Sequence, residues 1–98
     1  MLKRNPIDLH RPNRTTILVA DEQAFSRSLI RSAVAGIGRV LECRTGFDAI
    51  ETAEQQRPSL IILDLNLTGL DGVEVTQFLR RAGGGLQYTP IIMIAGKP

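Results

Sequence analysis

The chain has 98 residues, of which 43% are hydrophobic and 22% charged, and its net charge is +2. This length suits one domain, and the composition excludes an acidic or basic disordered chain. No apolar run approaches the roughly 20 residues of a membrane-spanning helix, and no signal-peptide core is visible near the start. The single cysteine, Cys43, cannot form an internal disulfide. We therefore expect a cytoplasmic protein without membrane contact.

Residues 1–14 contain two prolines and no hydrophobic periodicity, which predicts a basic flexible tail. Four basic residues against one acidic residue give this tail a charge of +3, so the rest of the chain carries −1. A nucleic-acid-binding domain would instead carry Lys and Arg across one folded face. We therefore expect no direct nucleic acid contact from residues 15–98.

The first predicted strand covers residues 15–20 and ends at an acidic pair, Asp21 and Glu22. Apolar residues then recur at helical spacing, and Gly36 and Gly38 provide the helix stop. These apolar positions are Phe25, Leu29, Ile30, Ala33, Val34 and Ile37. Residues 40–43 predict a second, weaker strand.

The second half repeats this alternation. Thr45 and Asp48 resemble a capping box, which opens a helix that ends before Pro58. Residues 60–63 are wholly apolar, as expected of a strand buried on both faces at the centre of a parallel sheet. A loop follows from Asp64 onward.

Two more elements complete the pattern. Val75, Phe78, Leu79 and Ala82 predict a third helix, which residues 83–85, all glycine, bring to an end. Residues 90–94 predict a fourth strand. Strands that alternate with helices through short connections predict a doubly wound α/β fold with a parallel sheet of order 2-1-3-4.

Acidic side chains follow two of these strands. Asp21 and Glu22 follow the first strand and Asp64 follows the third. Ligands of open α/β sheets bind at the carboxyl ends of the strands, so three carboxylates are expected to converge there. Because like charges repel, such a cluster needs a cation or shifted pKa values. A site made only of oxygen ligands suits Mg²⁺. A carboxylate held beside Mg²⁺ can also act as a nucleophile toward phosphorus. One such acid alone would more simply be a helix N-cap.

Three segments resemble the receiver domains of two-component response regulators, which have a CheY-like, flavodoxin-like fold. They are residues 17–22, 60–72 and 90–95, and the second is the most specific. The resemblance covers about residues 15–96. It implies a signalling domain rather than an enzyme, which accepts a phosphoryl group from a sensor histidine kinase or phosphotransfer protein and assists its own phosphotransfer and dephosphorylation.

The resemblance also implies a role for individual residues. Asp64 would be the phosphoacceptor, and Mg²⁺ would be bound by Asp21, Glu22, Asp64 and the backbone carbonyl of Asn66. Glu22 stands where the family more often has Asp, which adds one methylene. The family's Thr or Ser that bonds the phosphoryl group is replaced by Ala95, so the switch position lacks its hydroxyl.

Two other departures concern the loop and the end of the chain. Thr68 replaces the usual Pro, which is expected to leave the loop less rigid. The family's fourth helix, fifth strand and fifth helix have no counterpart, so residues 15–98 are expected to be an incomplete receiver domain. No catalytic Lys is assignable, because Lys97 comes too soon after the fourth strand. The edge of that strand would then be exposed and could form a homodimer.

The sequence also has partial similarity to three alternative kinds of protein. A pseudo-receiver would use the same fold as a protein-interaction module without productive phosphorylation, as the absent hydroxyl and Lys would allow. A haloacid-dehalogenase-type phosphatase needs a second Asp where Asn66 stands. An EF-hand loop beginning at Asp64 would need Glu where Val75 stands.

Overall fold

A computed structural model describes residues 15–95. The predicted tail, residues 1–14, and Lys97 with Pro98 lie outside this range. The elements in chain order are β1 (Thr16–Ala20), α1 (Ala24–Val34), β2 (Arg39–Cys43), α2 (Gly46–Gln56), β3 (Leu60–Asp64), α3 (Gly72–Ala82), a 3₁₀ helix (Leu86–Tyr88) and β4 (Ile91–Ile94). Among the described helices, none has the length and hydropathy needed to span a membrane.

The four strands form one sheet of order β2-β1-β3-β4, in which every neighbouring pair is parallel. This confirms the predicted α/β class and strand order. β1 lies between β2 and β3, and all five of its residues are buried. The continuous apolar runs of β1 and β3 are explained by this position, because both faces of a central strand are covered by helices.

The larger part of the core lies on the face covered by α2 and α3. Leu18 and Leu63 from the sheet meet Ala49, Ala53 and Leu79 from the two helices, and all five are fully buried. Leu86 of the 3₁₀ helix belongs to the same cluster and is 2% exposed. The sequence pattern did not predict this short helix.

The opposite face is covered by α1 and has a smaller cluster. Ile17, Val19 and Ile62 are buried there, and Ile30 and Val34 of α1 pack against them. No residue of α1 itself is buried.

Part of the predicted apolar stripe of α1 therefore faces outward. Phe25 is 74% exposed and Leu29 57% exposed. Ile37 was expected to continue the stripe, but the helix ends at Val34 and Ile37 lies in the following turn.

Local sequence signals explain most helix ends. The Thr45 hydroxyl accepts a hydrogen bond from the Asp48 backbone N–H, as predicted for the start of α2. At the start of α3, Asp71 and Glu74 form a reciprocal capping box. The third helix ends at Ala82, and the three glycines that follow all have positive φ angles.

The fully buried Leu79 provides a test of this core. Leu79→Ala is expected to lower the free energy of unfolding by about 2–5 kcal/mol, because it leaves a cavity between α3 and the sheet. Urea denaturation followed by circular dichroism would measure the change. Leu29→Ala is the matched control and should change stability by less than about 0.5 kcal/mol, since Leu29 is largely exposed. Equal losses of stability in the two variants would contradict the assignment of Leu79 to the buried core and of Leu29 to the exposed side of α1.

Candidate functional site

Two acidic side chains lie next to each other at the carboxyl edge of the sheet. Asp64 is the last residue of β3, and Asp21 directly follows β1. The last register pair of these two strands is Ala20 with Leu63, so the next residues, Asp21 and Asp64, are neighbours. Their exposed fractions are only 5% and 9%. The fold therefore concentrates two carboxylates in a small, poorly solvated volume.

Each carboxylate is oriented by the backbone two residues further along the chain. The Gln23 N–H donates to Asp21 Oδ1 at 2.9 Å, and the Asn66 N–H donates to Asp64 Oδ1 at 3.0 Å. Within residues 15–95, the Oδ2 atom of each aspartate accepts no hydrogen bond. Buried polar atoms normally have a partner, so these two oxygens are available for a ligand.

The donor chemistry at this edge fits Mg²⁺. Two carboxylates supply hard oxygen ligands, and a divalent cation would offset their mutual repulsion. The carbonyl of Asn66 is a third oxygen donor near Asp64, and it accepts no hydrogen bond from the residues that the structure describes. Soft ligands are not part of this set, which agrees with a hard cation.

Glu22 does not join the buried pair. Its side chain is exposed, although it follows Asp21 directly. Between residues 15 and 95 no group of three His, Cys, Asp or Glu side chains is arranged to hold a metal ion. Of the three acids expected to converge, the structure brings two together, and a metal-binding role for Glu22 stays a prediction.

An arginine of α1 holds the backbone of the acidic segment after β1. Arg27 Nη1 donates to the carbonyl of Asp21 at 2.8 Å and to that of Glu22 at 3.2 Å. Its Nε donates to Glu42 of β2 at 3.0 Å. The other carboxylate oxygen of Glu42 pairs with Arg31. The segment is thereby connected to both α1 and β2.

Cys43 also contributes to this connection. Its carbonyl accepts a hydrogen bond from the Asp21 N–H at 3.1 Å. Burial, and secondarily the charge of Asp48, raises the pKa of the Cys43 thiol to about 12, against a smaller lowering by Arg27. The thiol is therefore protonated at neutral pH, a state that does not favour a nucleophilic role.

The loop after β3 is tied to the start of α2. Thr68 forms an isolated parallel bridge with Thr45, and its carbonyl accepts a hydrogen bond from the Gly46 N–H at 3.1 Å. Gly69 has a φ of +85°, a conformation that favours glycine, and lies against the Phe47 ring. These contacts restrain the loop at the position where Thr68 was expected to leave it less rigid.

Gly72 brings the start of α3 close to the backbone of the aspartate. Its N–H donates to the Leu65 carbonyl at 2.9 Å. A Cβ at this position would lie 2.7 Å from the Asp64 carbonyl oxygen and 2.6 Å from Met93 Sδ. Only glycine fits here without a shift of backbone or side chain.

Ala95 lies at the same edge of the sheet. It follows Ile94, whose register partner is Asp64, and the Ile94 carbonyl accepts a hydrogen bond from the Leu65 N–H at 2.8 Å. The predicted switch position is thus beside the carboxyl end of β3. Its exposed methyl group cannot donate a hydrogen bond.

Comparison with known proteins identifies this arrangement. A family model described as the response regulator receiver domain matches residues 17–98. The chain belongs to the receiver family. Receiver domains are signalling domains of two-component systems, and residues 15–95 of this chain form a four-stranded parallel sheet with the strand order expected of their fold.

Two curated relatives are longer than this chain. The transcriptional regulatory protein AfsQ1 of Streptomyces coelicolor is 33% identical over 81 residues, which are 83% of this chain and 34% of that protein. The polar-differentiation response regulator DivK of Brucella anthropi is 26% identical over 80 residues, which are 81% of this chain and 64% of that protein. The chain spans less than two thirds of either relative.

A solved structure supports the fold of the receiver. The receiver domain of a sensor histidine kinase from Pseudomonas aeruginosa PAO1 has a TM-score of 0.77 and 27% sequence identity to this chain. The match covers 85% of this chain and 68% of that one. That structure is described with a magnesium ion coordinated in its active site cleft.

Sequence reasoning missed several residues that support the receiver site. Arg27 and Glu42 meet only after folding, and no pattern in either segment indicates their ion pair or the hydrogen bond from Arg27 to the Asp21 carbonyl. The capping box at Asp71 had a readable signal, because Asp followed three residues later by Glu is typical of a helix start. Gly72 follows Asp71 directly, so the same signal could have placed it at the first position of the helix.

The close approach at Gly72 can be tested by adding one methyl group. Gly72→Ala is expected to lower the free energy of unfolding by about 1–3 kcal/mol, because the new Cβ overlaps the Asp64 carbonyl. Gly36→Ala is the control, since nothing lies within 4 Å of its added Cβ. Thermal and urea unfolding of both variants would check this. A Gly72→Ala variant as stable as the control would disprove the close contact.

Proposed function

We propose that this receiver accepts a phosphoryl group on Asp64 from a phosphohistidine of a sensor histidine kinase or a phosphotransfer protein. The observation that carries the proposal is the state of the Asp64 carboxylate. It is buried, one oxygen is held by the Asn66 N–H, and the other oxygen has no partner among the described residues. A carboxylate held in this way is pre-oriented for attack on phosphorus.

The acids beside Asp64 are proposed to bind Mg²⁺. Asp21, Asp64 and the carbonyl of Asn66 would hold the ion, and the exposed Glu22 would add negative charge nearby. A bound Mg²⁺ would neutralise charge on the transferring phosphoryl group. The magnesium ion described for the Pseudomonas receiver supports this proposal.

The proposed transfer forms one bond and breaks one bond. An Asp64 oxygen attacks phosphorus in line with the donor, and an acyl phosphate forms. The phosphorus–nitrogen bond to the donor histidine breaks, and its electron pair stays on the imidazole nitrogen, which takes up a proton if the ring leaves as an anion.

The pseudo-receiver alternative is not favoured. Ala95, which lacks a hydroxyl, and the absence of an assignable catalytic Lys both suggest it, but the attacking and metal-side groups are the acids, and Asp21 and Asp64 are both present and adjacent. We propose that Ala95 weakens the conformational response rather than the phosphorylation. The expected cytoplasmic location remains part of this proposal, since the kinase domains that would supply the phosphoryl group act there.

A second copy of this chain is proposed as a further partner through β4. The Pro90 and Ile94 carbonyls face β3, so Ile91 and Met93 direct their backbone groups toward the outer edge. No strand pairs with this edge among residues 15–95. Two such edges related by a twofold axis could pair with each other, and the half-exposed Ile92 would become covered.

Replacement of the phosphoacceptor tests the main proposal. Asp64→Asn is expected to abolish labelling by acetyl phosphate with Mg²⁺, because an amide is a far poorer nucleophile than a carboxylate. Intact-mass spectrometry and a phosphate-affinity gel would measure the label. Asp71→Asn is the matched control, since Asn also caps helices well and Asp71 lies in the same loop. Undiminished labelling of Asp64→Asn would show that another residue is phosphorylated.

The proposed dimer can be tested with a charge on β4. Ile92→Lys should shift the 98-residue chain toward monomer in sedimentation equilibrium, because a lysine at the paired edge opposes association. Ile37→Lys is the control: it is similarly exposed, but it precedes β2 at the other edge of the sheet. A wild-type chain that stays monomeric at all concentrations, or equal effects of both variants, would argue against pairing through β4.

A further inference from the structure

Arg27 connects three parts of the structure around the acidic segment after β1. Its side chain is only 15% exposed, which is low for an arginine at the surface of a helix. It donates to the backbone carbonyls of Asp21 and Glu22 and also contacts Glu42 of β2. The guanidinium thus donates to main-chain carbonyls of the acidic segment and to a side-chain carboxylate of β2.

The Glu42 carboxylate sets the direction of the Arg27 guanidinium. Glu42 Oε1 accepts from Nε of Arg27, which leaves Nη1 directed at the two carbonyls. Arg31 donates to Glu42 Oε2 and, among residues 15–95, forms no hydrogen bond with the acidic segment. Both arginines therefore pair with the same acid, but only Arg27 reaches the backbone beside Asp21.

We propose that Arg27 is a positioning residue for divalent cation binding at Asp21 and Asp64. It would act by holding the Asp21 and Glu22 carbonyls, so that the Asp21 carboxylate keeps one orientation toward Asp64. This inference rests on the proposed function, because that function assigns the cation to these two acids. It adds a residue that would not touch the cation.

The physical basis is the limited number of restraints on the acidic segment. The backbone N–H of Asp21 bonds to β2, and Oδ1 of Asp21 accepts from Gln23. The Arg27 guanidinium supplies the bonds to the two carbonyls. Without it these carbonyls lose a charged donor, and the segment gains conformational freedom that cation binding must then remove.

The positive charge of Arg27 and its positioning role predict opposite changes in Mg²⁺ affinity when Arg27 is removed. A positive charge near a cation site repels the cation, so its removal alone should tighten Mg²⁺ binding. Loss of a residue that orients a ligand should weaken binding, typically by about 10-fold or more. A rise in the Kd for Mg²⁺ would therefore indicate a positioning role, and a fall would indicate only the electrostatic effect of the charge.

The experiment is a titration of the metal-free 98-residue chain with Mg²⁺ alone, in which binding is measured by isothermal titration calorimetry and by NMR. Arg27→Gln should raise the Kd about 10-fold. Arg31→Gln is the matched control, with the same charge change, helix and acid partner, and should change the Kd by less than about twofold. Arg27→Lys should also weaken binding, because one ammonium group cannot replace the planar guanidinium fork.

A second measurement does not involve the metal. The Gln23 amide donates to Asp21 Oδ1. In the metal-free protein its hydrogen exchange should be faster in Arg27→Gln than in Arg31→Gln, because only the first change frees the acidic segment. A purely global loss of stability would accelerate exchange equally throughout the β-strands, which the same spectra report.

The outcomes distinguish this inference from the proposed function. If the wild-type chain binds no Mg²⁺, the proposed function fails and the role of Arg27 fails with it. If the wild type binds Mg²⁺ and Arg27→Gln binds it equally well or more tightly, only the role of Arg27 is disproved. If Arg27→Gln does not fold, Arg27→Lys decides: unchanged affinity in that variant overturns the inference.

Discussion

The parallel register between β1 and β3 is the constraint on which the site depends. Because Ala20 pairs with Leu63, the next residue of each segment is an aspartate, and both acids are held at one edge of the sheet. A shift of one residue would separate them and would also turn the apolar side chains of β1 toward the wrong helix layer. The register is therefore stabilised by the core of both faces. The site thus depends on hydrophobic packing that involves none of its own residues.

The two faces of the sheet contribute unequally to that packing. The side covered by α2 and α3 contains fully buried residues from β1, β3, α2 and α3, whereas α1 has no buried residue. Residues such as Phe25 and Leu29 leave apolar surface in contact with water. Burial contributes about 25 cal/mol per Å², so the α1 side adds less to stability. The acidic segment is nevertheless anchored from this side, through the polar contacts of Arg27 rather than through apolar burial.

Close backbone approach is the second means by which the site is organised. A Cβ on Gly46 would overlap the Leu70 carbonyl in the loop after β3, and a Cβ on Gly72 would overlap the Asp64 carbonyl at the end of β3. Both glycines are the first residues of helices, so each helix start packs directly against the end of β3 or the loop that follows it. The capping interactions of Thr45 and Asp71 fix these helix starts in turn. Thr68 in this loop is compatible with a restrained backbone, because the hydrogen bond that restrains it is accepted by its main-chain carbonyl and not by its side chain.

The sequence by itself determined the order of strands and helices, the α/β class and the placement of Asp21 and Asp64 at strand ends. These properties depend on local apolar runs and on the general behaviour of parallel sheets, and the structure agrees with them. Only the tertiary structure decided that Glu22 lies outside the buried pair and that Phe25 is exposed, because burial depends on what packs against an element. The same is true of Arg27 and Glu42, which are 15 residues apart and form their contact only when α1 packs beside β2. Side-chain contacts between distant segments leave no periodic signal in a single sequence, and that is why this part of the site required the folded chain.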